Sequence, residues 1–191
     1  SIETDPRGPL VSTPGADRPP LLDPHVVPRV WPGESRRVDR QEVWFADGRT
    51  YAVTLHDIEI TEEEMRRGKS PYEWHLHAGG EERLANPTSA VMWSSFLFFA
   101  PWSLLIDPAQ EAAFGFDDPW ARIVLTPASG DPCELRISKR PLQSGEWPIQ
   151  NRATGGVFAI STAVRDLMAP PVDVFEEGYE ENPWRPYLQR R

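Results

Sequence analysis

Three observations predict an α+β fold built on antiparallel strands. Short runs alternate apolar with polar residues, Gly- and Pro-bearing turns separate them, and one uncharged stretch is long enough for a helix. The connections are hairpin-short, which suits antiparallel neighbours and leaves no room for parallel crossovers. The expected plan is an N-terminal hairpin plus a strand and a later set of four strands. These form antiparallel sheets packed around a central apolar helix, with a short helix at the end.

Residues 1–40 hold eight of the 21 prolines and six arginines against six acidic residues. Each proline fixes φ and removes an amide donor, so an extended arm or stalk is expected here. Leu21, Leu22, Val26, Val27, Val30 and Trp31 make its second half apolar enough to pack on something. Because this segment is neutral, the whole formal net charge of −9 lies in residues 41–191, which argues against a general nucleic-acid binder. A single cysteine, Cys133, excludes an internal disulfide framework and any Cys-based zinc ribbon.

Residues 41–170 read as the folded domain. Asp47-Gly48 between Glu42–Phe45 and Tyr51–His56 is a strong hairpin sign. Thr61 and Glu64 stand at the capping-box spacing before Gly68. Tyr72–Ala78 alternates as a third strand closed by Gly79-Gly80. The 21 residues Asn86–Ile106 carry no charge. Pro101, the serines Ser94, Ser95 and Ser103 and the lack of basic flanks oppose a membrane span, and Asn86-Pro87 looks like a helix start. A buried helix over about residues 88–99 is therefore expected. Its aromatics, Trp93, Phe96, Phe98, Phe99 and Trp102, are too many for one face. That favours a helix covered on both sides over one presenting an apolar surface to a partner.

After a short helical turn at Asp107–Ala113, four strands follow. In the first, Ala121, Ile123 and Leu125 share one face; in the second, Cys133, Leu135 and Ile137 do. Glu146–Asn151 and Val157–Ile160 complete the set, and Ser161 caps a helix that Pro170-Pro171 stops. Residues 171–191 form an acidic, then aromatic and basic, tail that is either disordered or docked through Trp184.

A glycine–acidic–proline junction, FGFDDPWARIVLTP, follows the apolar helix and opens a strand. The segments SGDPCELRISK, GEWPIQN, GGVFAIS and TAVRDLM come next, and YEWHLHAGG precedes the helix. Over roughly residues 41–170 this order resembles the bacterial family called domain of unknown function 4340. Phe116 stands where that family usually has Leu, and Asp118 directly precedes Pro119. The junction also has a structural reading. Gly115 can take positive φ after a helix, Asp117 caps, and Pro119 sets the start of the strand.

The resemblance implies location more than chemistry. Its members often follow an N-terminal membrane anchor and face outside the cytoplasmic membrane, and many are encoded beside ABC-2 type permeases. Related domains occur in gliding-motility auxiliary proteins. The proline-rich arm then reads as a stalk after an anchor that is absent from this chain. No catalytic residue comes with the family. The expected function is a non-enzymatic, extracytoplasmic interaction domain accessory to such a transporter, with a protein partner in the cell envelope and no cofactor.

The alternative is a small-ligand or glycan-binding module using Trp74, Trp120 or Trp147 as a stacking platform. Glu73, His75 and His77 alternate on one strand and share a face, so they are the candidate metal ligands. A plain solvated face is the better reading of them, since no fourth ligand is visible nearby, and no metal is assigned from the sequence.

Overall fold

The structure, a computed structural model, describes residues 37–188. Of the expected arm at residues 1–40, residues 1–36, with Trp31, lie outside them, and Val38, Asp39 and Arg40 belong to the first strand. The chain runs β1 (Val38–Phe45), β2 (Thr50–Asp57), α1 (Glu62–Arg66), β3 (Tyr72–Ala78), β4 (Glu81–Leu84), α2 (Pro87–Phe99) and β5 (Leu104–Ile106). A 3-10 turn (Pro108–Phe114), β6 (Ala121–Pro127), β7 (Cys133–Ile137), β8 (Trp147–Asn151) and β9 (Gly156–Ile160) follow. α3 (Thr162–Met168), a second 3-10 turn (Val172–Phe175) and α4 (Arg185–Leu188) close it.

The α+β class and its antiparallel strands are as expected, but the strands do not form separate sheets around a helix. They make one nine-stranded sheet in the order β4-β3-β2-β1-β6-β7-β8-β9-β5. The join is β1, which pairs with β2 on one edge and with β6 on the other, Val43 lying opposite both Tyr51 and Ile123. A strand has two hydrogen-bonding edges and a hairpin uses one, so β1 brings the N-terminal and C-terminal groups into a single layer.

Alternation gives the sheet two unlike faces. Val43, Val53, Leu76, Ile123, Leu135 and Ile149 are fully buried on one of them. Trp93, Phe96 and Leu97 of α2 belong to the same core, together with Met168, Phe175 and Trp184. Burying each large apolar side chain contributes roughly 1.5–3 kcal/mol. α2 starts where Asn86 caps it, the Asn86 side chain accepting from the Ser89 N–H at 3.1 Å. The helix contacts β3, α3, Val172–Phe175 and α4. No helix among the described residues is long and apolar enough to cross a membrane.

The tail is docked. Trp184 is completely buried and donates from Nε1 to the Leu167 carbonyl at 2.9 Å. Trp93 donates likewise to the Met168 carbonyl at 2.9 Å. Tyr187 meets Phe96 edge-on at 5.5 Å.

The opposite face is polar over most of its width, carrying Arg40, Glu42, Trp44, Arg122, Glu134 and Arg136 in neighbouring registers. Only toward β9 and β5 does it carry a second, small apolar cluster, Ile106, Phe116, Val157 and Ala159, with Phe114 packed on it.

Candidate functional site

The polar face is richest in chemistry where β2, β3 and β4 meet. The β2–β3 register sets Thr54 opposite His75, His56 opposite Glu73 and Ala52 opposite His77. The hairpin through Gly79-Gly80 sets His77 opposite Glu82. Both glycines have positive φ, +61° and +83°, which suits a tight turn between strands. Three of the four histidines of the chain thus share one patch with two glutamates.

Hydrogen bonds organise the patch. The Thr54 hydroxyl lies 2.8 Å from His56 Nε2 and 2.8 Å from His77 Nε2. A hydroxyl has one proton and two lone pairs, so at least one of the two rings donates an N–H to it, and both can. His75 Nδ1 meets Glu82 Oε1 at 2.7 Å, and His75 Nε2 lies 3.8 Å from Glu73. The His56 and His75 rings are 4.3 Å apart between centroids. His77 Nδ1 is 3.7 Å from Glu82 Oε2.

Burial holds the His77 pKa below the usual histidine value, against the opposing pull of Glu82. The hydrogen bond with His75 holds the Glu82 carboxyl below the usual range, helped by the neighbouring rings. Both shifts favour a neutral imidazole beside an ionised carboxylate. A groove of about 390 Å³ opens next to them, lined by Arg40, Glu42, Ala52, His77, Gly80 and Glu82 among others.

Of the candidate ligands read from the sequence, the structure brings His77 and His75 together at Glu82 and leaves Glu73 apart from Glu82, opposite His56 and 3.8 Å from His75. Sequence reading missed His56, Thr54 and Glu82. The signal for Glu82 was present: a two-residue turn at Gly79-Gly80 fixes the residue across from His77. His56 and Thr54 needed the β2–β3 register, which a charged excursion of some 14 residues between the strands conceals.

The tryptophan candidates separate. Trp74 lies on the core side of β3 and packs against the main core. Trp120 and Trp147 come together around Arg165, whose guanidinium lies 4.6 Å from one ring centre and 4.1 Å from the other. Trp147 also donates from Nε1 to the Thr162 hydroxyl at 3.0 Å. One face of each ring is therefore occupied by a cation of the chain itself.

At the junction the structural role falls to Gly115, and no capping hydrogen bond of Asp117 is seen. Gly115 ends the 3-10 turn in the left-handed region at φ +65°, and Asp118 N–H bonds back to its carbonyl at 3.1 Å. Asp117 is fully exposed, 3.9 Å from Arg136, while Asp118 pairs with Lys139 at 2.5 Å. Each carboxylate thus answers a different cation. Cys133 is buried, and burial pushes its thiol up to about 11.

No protein-family model, no curated protein and no solved structure matches the chain.

Proposed function

We propose that this chain is a non-enzymatic binding domain of a membrane-anchored bacterial protein, facing outside the cytoplasmic membrane, of the kind that domain of unknown function 4340 represents. Its partner is an envelope protein, an ABC-2 type permease assembly, met through the polar face of the sheet. The observation that carries this reading is the contrast between the two faces. One is covered by helices and tail. The other presents a ladder of alternating charge.

Along that ladder Arg122 stacks on Trp44 at 4.4 Å and stands 3.5 Å from Glu134. Glu134 in turn accepts from Arg136 at 2.5 Å. The side chains are half-buried against one another, so little order remains to be imposed when a partner docks. Aromatic and Arg groups in such a setting are the residue types that dominate protein interfaces. The resemblance in the junction and strand motifs supports the location and the partner class. Stacking of a sugar on Trp120 and Trp147 is less well supported, because Arg165 already stacks there.

The test is co-purification of the protein, carrying a membrane anchor, with an ABC-2 type permease co-expressed with it. The wild type is expected to bring the permease down. The R122E/R136E pair is expected to weaken that association, and R66E, on exposed α1, to leave it unchanged. Failure of the wild type to associate, or equal association of R122E/R136E, would overturn the reading.

A further inference from the structure

We propose that His56, His77 and Glu82 bind a first-row divalent cation of the zinc class, with His75 holding the carboxylate in position. The three offer ligand atoms that all lie within 4.8 Å of one another. A tetrahedral zinc ion with bonds of ~2.0–2.1 Å sets its ligands about 3.3–3.4 Å apart. The His77 Nδ1 to Glu82 Oε2 separation of 3.7 Å is already close to that. It is also too long for a hydrogen bond, so no proton joins the two atoms as they stand. When His77 Nε2 donates to Thr54, the Nδ1 lone pair and the carboxylate oxygen confront each other across the gap, an arrangement that a cation relieves. His56 and Glu82 are exposed, and rotation of these side chains closes the remaining distance.

The surrounding groups suit the role. His75 Nδ1 engages Glu82 Oε1 and leaves Oε2 for the ion, the usual pattern in which a hydrogen-bonded neighbour orients a metal ligand. Two imidazoles with a carboxylate favour zinc, copper or nickel over magnesium or calcium, which prefer oxygen cages. Three protein ligands leave a fourth position, and the groove bordered by His77 and Glu82 gives water access to it. This inference stands apart from permease binding: it concerns the β2–β4 end of the face, and its test needs no partner.

Isothermal titration of the whole chain with zinc chloride is expected to show one ion bound per chain at micromolar concentration, and magnesium chloride no saturable heat. H56A, H77A and E82Q are each expected to weaken zinc by about a hundredfold, and H75Q by about tenfold because the ligands themselves remain. Where a variant fails to fold, the histidine ring NMR signals of the wild type decide: zinc shifts the rings of His56 and His77. Absence of binding at micromolar zinc, undiminished binding by the H56A/H77A pair, or ring shifts confined to His25 would each overturn the proposal.

Discussion

Replacing Trp184 by alanine tests whether the C-terminal tail is part of the fold. The indole is fully buried, 6.1 Å from the Phe175 ring centre, with Nε1 bonded to the Leu167 carbonyl at 2.9 Å. Tryptophan buries on the order of 200 Å², worth about 5 kcal/mol at ~25 cal/mol/Å², and that is an upper bound because the unfolded chain is not fully extended. Trp-to-Ala changes in cores cost ~3–5 kcal/mol. With a urea slope of ~2 kcal/mol/M, W184A is expected to lower the unfolding midpoint by about 2 M. W184F keeps most of the volume and loses the hydrogen bond, at a cost of about 1–2 kcal/mol.

The tail can also detach locally, which would limit the global loss. Hydrogen exchange separates the two outcomes: in W184A the amides of residues 172–188 exchange fast while β1, β6 and β7 stay protected. A midpoint within about 0.5 M of wild type, with the tail amides still protected, would refute the docking argument.

Two further perturbations address the interior and the aromatic stack. R165A removes the cation held between Trp120 and Trp147; a loss of about 1–2 kcal/mol and a changed tryptophan emission spectrum are expected, and an unaltered spectrum would mean that the stack does not form. Cys133, buried and with its thiol pushed up to about 11, is expected to resist iodoacetamide in the native protein and to react in urea; rapid native labelling would contradict its burial.

What could be read from sequence follows the range of the interactions concerned. Asp47-Gly48 declared its hairpin because Gly48 alone supplies the positive φ, +87°, that the turn needs. The capping box was legible because Thr61 and Glu64 contact each other within one turn, Glu64 N–H to Thr61 hydroxyl at 3.2 Å. The buried face of β6 was legible because pleating alone sorts Ala121, Ile123 and Leu125 from Arg122, Val124 and Thr126. The short strands β4 and β5 were not. Four residues and three residues carry too little alternation to be recognised, and pairing with β3 and β9 is what makes them strands.

The sequence by itself determined the class, the turns, the helix caps and the sorting of β3, β6 and β7 into two faces, since those depend on neighbours within a few residues. Only the tertiary structure decided that all strands share one sheet, that Trp184 returns to the core, and that His56 meets His77 and Glu82. The physical reason is the same in each case. Edge pairing between β1 and β6 joins residues about 80 apart, and a cross-strand cluster exists only once register is set. Local propensity carries no information about which distant edge or ring will be the partner.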